Sequence, residues 1–161
     1  MKHLLLITLC VLLGACAAHP PLPTQLPTLD LPQQLHVQRE QAGQQQDWLL
    51  VIQRENGHLR WSLLDLLGIP QARQLLDGQH WQADGLLPPN PAARELFAAV
   101  LFALTPADQL QALYPNARQQ HGQRWLQDRW HVRYRDTDGF DLNLGEGLRY
   151  VVAPMPSENT P

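Results

Sequence analysis

The stretch PPNPAARELFAAVLFALTP, residues 88–106, decides the fold. Asn90 stands where a helix N-cap belongs and Pro91 takes the first helical position, so we predict a helix that ends near Leu104. Large apolar residues crowd one broad face of this helix, and alanines fill much of the rest. A helix that is apolar nearly all round is a buried helix, so the rest of the chain has to enclose it. The broad face consists of Leu96, Phe97, Val100, Leu101 and Leu104.

Short strands are predicted before this helix. Residues 35–40 alternate in polarity, and residues 48–52 are apolar on both faces, which is typical of a strand between two layers. Asn56-Gly57 is a strong hairpin signal, because both turn positions tolerate positive φ. These segments and the strands that follow predict an antiparallel meander. The further strands are predicted at residues 59–67, 72–76 and 80–84.

A second helix and more strands are predicted after the first helix. Thr105-Pro106 repeats the cap-and-proline pattern, so we expect a shorter helix through about Tyr114. Asp138-Gly139 predicts a turn between two strands. Strands, then two helices, then strands indicate an α+β fold with one antiparallel sheet curved around a mostly apolar helix. The later strands are predicted at residues 130–135, 140–144 and 148–152, and residues 124–128 are either a strand of their own or the start of the next.

The first sixteen residues, MKHLLLITLCVLLGAC, have the pattern of a secretory signal. Lys2 and His3 give a positive start, and the apolar run that follows is too short to span a bilayer, for which about 20 residues are needed. We therefore leave this segment out of the fold and expect cleavage before Cys16.

The motif LGAC, residues 13–16, resembles a bacterial lipobox. The resemblance implies a diacylglycerol on Cys16 and a triacylated N-terminus after cleavage, which anchors a protein to a membrane permanently. Two alanines follow the cysteine, where the inner-membrane retention signal of lipoproteins has aspartate, so the resemblance implies the periplasmic face of the outer membrane. An ordinary signal peptide cleaved elsewhere is the alternative.

The segment HPPLPTQLPTLDLP, residues 19–32, contains five prolines. Proline fixes φ and removes a hydrogen-bond donor, so we predict an extended tether, not packed structure. Such a tether could hold a domain up to about 40 Å from the lipid. The predicted parts of the chain are a signal peptide at 1–15, the lipidated cysteine and tether at 16–33, one α+β domain at 34–153 and a disordered tail at 154–161.

Composition and motifs exclude several functions. Lys2 is the one lysine of the chain, and the arginines are outnumbered by fifteen acidic residues, so nothing indicates nucleic-acid binding. Neither Ser62 nor Ser157 lies in a G-x-S-x-G turn, and no histidine pair has metal-ligand spacing. Asp136, Asp138 and Asp141 lack the spacing of a calcium loop. We therefore expect no enzyme activity, no cofactor and no metal.

A family resemblance follows from the order of these elements. The lipobox, tether, meander, helix pair and closing hairpins resemble the LolA and LolB lipoprotein-carrier superfamily, whose half-open barrel holds acyl chains against helices. More narrowly, three stretches resemble small Gram-negative outer-membrane lipoproteins encoded with aryl polyene and related synthesis genes. The resemblance implies a carrier with an acyl or polyene cargo and a periplasmic carrier or synthesis-cluster protein as partner. The stretches are LRWSLLDLLGIPQARQLLDG at residues 59–78, LFALTPADQLQALYP at 101–115 and WHVRYRD with FDLNL at 130–136 and 140–144.

Three groups of residues are candidates for a lipid site. Six apolar residues either line a cavity for an acyl chain or fill the core. Leu67 and Ile69, in a loop where polar residues are the rule, either contact a membrane or fold back under the sheet. The row of His131, Arg133 and Arg135 either binds anionic lipid head groups or is a solvated face. The six apolar candidates are Trp48, Trp61, Trp81, Leu101, Phe102 and Trp130.

Two functions follow from these alternatives. The first is a non-enzymatic lipoprotein that binds, shields or transfers a lipid-like molecule. The second is a structural or assembly partner of an envelope complex, with a solid core and no ligand.

Overall fold

A computed structural model describes residues 19–136 and 138–156 of the chain. Cys16 and the lipobox lie outside the described residues, as does most of the predicted tail. The strands are β1 (Gln33–Gln41), β2 (Gln44–Glu55), β3 (His58–Asp65), β4 (Pro70–Leu76), β5 (Trp81–Ala83), β6 (Ala117–Gln120), β7 (Gln123–Leu126), β8 (Trp130–Tyr134), β9 (Phe140–Asn143) and β10 (Arg149–Pro154). The helices are α1 (Pro91–Leu104) and α2 (Leu110–Leu113).

All of these strands belong to one antiparallel sheet, in the order β5-β4-β3-β2-β1-β10-β9-β8-β7-β6. The predicted meander before the helix is confirmed, since each strand from β1 to β5 pairs with the next. Asn56 and Gly57 form the predicted hairpin turn, with φ of 47° and 82°. The first and last strands of the chain meet in the middle of the sheet, because β1 pairs with β10 as well as with β2.

Helix α1 is buried, as its sequence predicts. It begins after Asn90, whose side chain accepts a hydrogen bond from the backbone N of Ala93 at 3.0 Å. The side chain of Glu95, in the second turn, accepts hydrogen bonds from Arg129 and from Trp130 Nε1. The buried residues of α1 are Ala93, Leu96, Phe97, Ala98, Ala99, Val100, Leu101, Phe102 and Ala103.

Helix α1 touches strands that are far apart in the sheet order. The ring of Phe97 lies 5.5 Å from Trp61 on β3, and the ring of Phe102 lies 5.8 Å from Trp130 on β8. In a flat sheet these two strands would be about 24 Å apart, whereas Phe97 and Phe102 are separated by about 7.5 Å along the helix axis. Both contacts can form only because the sheet curves toward the helix.

The C-terminal end of α1 is satisfied by a buried arginine. Arg124 Nη1 lies 3.2 Å from the carbonyl oxygens of Phe102 and Ala103 and 2.6 Å from that of Thr105. Tyr134 also donates to the Ala103 carbonyl, at 2.5 Å. Burial raises the pKa of Tyr134 to about 12, so this hydroxyl remains a donor at neutral pH. Carbonyl groups that would otherwise be buried without partners are therefore paired, and a positive charge faces the negative end of the helix.

Several elements differ from the sequence-based prediction. Strand β3 ends at Asp65, not at residue 67. Helix α2 is a single turn, Leu110–Leu113, because residues 107–109 form a turn before it. The sequence left residues 124–128 open, and most of them belong to β7, which pairs with an unpredicted strand, β6. The outward side chains of residues 48–52 are half-buried and face solvent, so β2 is not enclosed between two layers.

The predicted free tether is wrong for residues 19–32, which we call the N-terminal strap. The strap has no helix or strand, but its leucines pack against the core and Pro23 and Pro27 are buried. The backbone N of Thr24 donates to the Leu113 carbonyl at 3.0 Å, and that of Thr28 donates to Gln109 Oε1 at 3.0 Å. Proline prevented regular structure here, but the leucines among the prolines gave the segment apolar side chains to bury. The packed leucines are Leu22, Leu26, Leu29 and Leu31.

No helix among the described residues is both long enough and apolar enough to cross a membrane.

Replacing Arg124 with methionine tests the role of the buried guanidinium. Arg124→Met keeps an apolar stem but removes the side-chain donor to the Phe102 and Thr105 carbonyls and leaves Tyr134 alone on that of Ala103. We expect it to lower the free energy of unfolding by about 3 kcal/mol. Urea denaturation measures this change. The matched control is Arg118→Met, an exposed arginine over the Trp125 ring, which we expect to change stability by less than about 0.5 kcal/mol. Equal effects of the two substitutions would contradict the assigned role.

Candidate lipid-binding site

The loop between β3 and β4 presents large apolar side chains to solvent. We call residues 66–69 the apolar loop. Leu66 is 75 % exposed, Leu67 is 84 % exposed and Ile69 is 53 % exposed. The two predicted contact residues, Leu67 and Ile69, therefore do not fold back under the sheet. Exposed apolar groups that lie together mark sites for contact with a membrane, a ligand or another protein.

The apolar loop is held by hydrogen bonds to one carboxylate. Asp65 Oδ1 accepts from the backbone N of Leu67 and of Ile69, each at 2.9 Å, and Asp65 Oδ2 accepts from Gln71 Nε2 at 3.1 Å. Gly68 has φ of 79° and donates its backbone N–H to the Asp65 carbonyl at 3.0 Å. Asp65 was not predicted as part of this site, although an aspartate whose side chain bonds the backbone two residues later is a known turn signal. The loop is thus a fixed platform, and its apolar side chains stay exposed.

Four of the predicted cavity residues lie deep in the core. Trp61, Leu101, Phe102 and Trp130 are each at most 1 % exposed. Their rings and side chains fill the space between the sheet and α1, with Phe97 in contact with Trp61. An acyl chain could reach them only if this core opened, so their role as a cavity lining stays a prediction.

The other two predicted cavity residues are partly exposed. Trp48 packs against the ring of Tyr150 at a centroid distance of 6.4 Å. Trp81 packs against Trp61 at 5.8 Å and against Phe97 at 5.9 Å. Trp81 therefore has one side in the core and one edge at the surface, where an external ligand can reach it.

Of the open grooves beside the N-terminal strap, two have volumes of several hundred Å³. The larger has a volume of about 890 Å³ and lies where the strap ends, between the start of β1, the end of β10 and Leu104 of α1. Its wall includes Leu35, Phe140 and Val152, and Asp30 and Asp138 lie at its edge. The smaller has a volume of about 480 Å³ and lies between the start of the strap and the turn that joins β4 to β5. Both volumes are in the range of small-molecule sites.

The predicted basic row lies on the outer face of the sheet. Arg133 and Arg135 share the carboxylate of Asp141, which also pairs with Arg149 at 3.3 Å. Burial opposes ionisation of Asp141, but the hydrogen bonds from Arg133 and Arg135 and the charge of Arg149 outweigh it, so the pKa of Asp141 is lower than usual. His131 instead stacks on Trp125, with ring centroids 5.1 Å apart. The three residues of the row therefore do not form one site, because Arg133 and Arg135 are ion-paired with Asp141 and His131 is not.

The carboxylate of Asp141 forms ion pairs with arginines. It is not arranged with Asp136 and Asp138 to bind calcium. Within residues 19–136 and 138–156, no group of histidine, cysteine, aspartate or glutamate side chains is arranged to hold a metal ion.

The chain matches the model of a known protein family. A family model described as "Protein of unknown function (DUF3261)" matches residues 30–140, which is more than half of the chain. The match runs from the end of the strap through both helices to the start of β9. No curated protein matches the chain.

The ion pairs of Asp141 make stability depend on pH. Because the folded pKa of Asp141 is lowered, its contribution is present above the unfolded pKa of about 3.9 and is lost as the pH falls through the folded value. We expect Asp141→Asn to reduce the free energy of unfolding by about 2 kcal/mol at pH 7 and by much less at pH 3. Urea denaturation at both pH values, with the exposed Asp136→Asn as control, measures this. An equal loss at pH 7 and pH 3 would contradict the ion-pair account.

Proposed function

The chain belongs to the DUF3261 family, and we propose that it is a non-enzymatic lipoprotein that binds a lipid-like molecule and hands it over at a membrane surface. The cargo we propose is an acyl or polyene chain. The fold we propose is a half-open barrel of the LolA and LolB kind, in which the sheet wraps around α1. The curved sheet and the buried helix support this reading of the fold.

The apolar loop is the observation that carries the proposal. Leu66, Leu67 and Ile69 are exposed together on a turn that Asp65 keeps rigid. Leaving such side chains in water costs about 25 cal/mol for each Å² of apolar surface, and contact with acyl chains removes that cost. In the receptor lipoprotein of the LolA and LolB superfamily, an apolar residue on a protruding loop helps to deliver lipid into the membrane. We propose the same role for Leu67 and Ile69.

The proposed location is the periplasmic face of the outer membrane, with triacylated Cys16 as the anchor. Only residues 17 and 18 separate Cys16 from the packed strap, and from Cys16 to His19 the chain can reach at most about 10 Å. The strap begins near the turn after β4, whereas the apolar loop precedes β4, about 20 Å away along the strand. The anchor and the loop can therefore meet one bilayer only if β4 lies roughly parallel to the membrane.

A filled core favours a second candidate function. Trp61, Phe97, Phe102 and Trp130 leave α1 tightly enclosed, as in a domain that carries no internal ligand. In this alternative the chain is a structural partner of an envelope complex, and the apolar loop contacts a protein. Transfer of a lipid probe distinguishes the two candidates, since a structural partner has no reason to accept or release one.

The direct test of the apolar loop is a transfer assay. The chain beginning at Ala17 is loaded with a fluorescent fatty acid and mixed with phospholipid vesicles, and the rate of probe transfer is measured. We expect the double substitution of Leu67→Glu with Ile69→Glu to slow transfer at least about tenfold, because two charges at the loop oppose its insertion. The fold should be unchanged, as both side chains are exposed.

The matched control is Leu86→Glu, which changes a fully exposed leucine outside the apolar loop. It should transfer the probe at the unmodified rate. Transfer that is insensitive to all three substitutions would contradict the role of the loop, and a chain that neither takes up nor releases the probe would favour the structural alternative.

A further inference from the structure

The smaller groove beside the strap has basic side chains in its lining. We call it the strap groove, and its volume is about 480 Å³. Its lining contains Arg94 and the histidines His19 and His80 but no acidic residue, although the chain as a whole has a net charge of −3. The nearby Asp77 accepts hydrogen bonds from the backbone N of His80 and from Gln82, and its Oδ1 lies 3.6 Å from His80 Nδ1. A groove of this composition is suited to an anionic group.

Arg94 is positioned and available to bind an anion. It lies in the first turn of α1, where the helix dipole adds positive potential. Its Nε donates to Gln74 Oε1 at 3.0 Å, and Gln74 is itself buried and donates to the Asn90 carbonyl. No acidic side chain among the described residues forms a salt bridge with Arg94. The guanidinium is thus oriented by Gln74, while its terminal nitrogens remain available to a ligand.

Trp81 supplies a second donor to the same groove. Its Nε1 is buried and has no hydrogen-bond partner within the described part of the chain. Buried indole N–H groups normally find a partner, and the Trp81 side chain lines an open groove, so we infer that a ligand supplies that partner. A carboxylate or phosphate oxygen between Arg94 and Trp81 would satisfy it.

Apolar side chains also line the strap groove, beside Thr24 and Gln79, whose Nε2 donates to the Thr24 carbonyl at 2.9 Å. Leu22 packs against the core, and Pro23 is buried. The ring of Trp81 continues this apolar lining into its contacts with Trp61 and Phe97. The strap groove therefore combines charge and hydrogen-bond donors with hydrocarbon contact, which is the pattern that an amphiphile requires.

We propose that the strap groove binds the anionic head group of an acyl or polyene ligand. Arg94 and Trp81 Nε1 donate to its carboxylate or phosphate, and its chain lies along the apolar side of the strap near Leu22. The acyl nature of the ligand rests on the proposed function, whereas the anionic head group follows from the groove itself.

The test uses cis-parinaric acid, a conjugated polyene fatty acid, and its methyl ester, which lacks the charge. Binding to the chain that begins at Ala17, which contains every described residue, is followed by probe fluorescence. We expect Arg94→Gln to weaken binding of the acid about tenfold and Trp81→Phe to weaken it about threefold. Neither substitution should change binding of the ester by more than about twofold. Arg118→Gln, at an exposed arginine away from the groove, is the matched control, and circular dichroism checks the fold of each variant.

Competition separates an amphiphile from a free anion. Dodecyl phosphate should displace cis-parinaric acid, and inorganic phosphate should not. Displacement by inorganic phosphate alone would make the groove a site for a free anion and would overturn the proposal. Equal weakening of acid and ester by Arg94→Gln, or no effect of either substitution, would overturn it as well. If the unmodified chain bound neither probe, the proposed function itself would fail.

Discussion

A helix with apolar residues on every side has to be enclosed, and this constraint determines the rest of the structure. Helix α1 cannot satisfy it against a flat sheet, because β3 and β8 both contact it within a few turns. Enclosure also buries the last carbonyl groups of the helix. Arg124 on β7 and Tyr134 on β8 donate hydrogen bonds to them. Two strands of the same sheet therefore offset the desolvation of these carbonyl groups.

Because the core around α1 is filled, the candidate ligand-binding sites lie at the surface. The space around α1 is filled by Trp61, Phe97, Phe102 and Trp130, so the open space of the domain lies outside the core. The strap covers part of the domain and leaves grooves along its edges, and the apolar loop offers hydrocarbon contact at the far end of β4. A lipid carrier built in this way would hold its cargo between the strap and the domain, with the core intact.

The sequence predicted the elements whose signals are local. Asn90 and Pro91 located the start of α1, and Asn56-Gly57 located a hairpin, because caps and turns depend on a few adjacent residues. The strap was misjudged, since its prolines exclude regular structure but say nothing about whether the intervening leucines are buried. Arg94 and Trp81 could not be paired from the sequence, because they share a groove through the packing of Trp81 against Phe97 of α1, which is a tertiary contact. Leu67 and Ile69 were recognised as candidates, and only the structure shows that they are exposed.

The most direct test of a filled core with a surface ligand site is the response of the tryptophan indole N–H signals in a proton–nitrogen correlation spectrum. Assigned signals would be followed while cis-parinaric acid is added to the chain that begins at Ala17. The account predicts that the signal of Trp81 shifts as the site fills, while those of Trp61 and Trp130 stay in place. Shifts of Trp61 and Trp130 together would show that the chain enters the space around α1, and they would contradict the account.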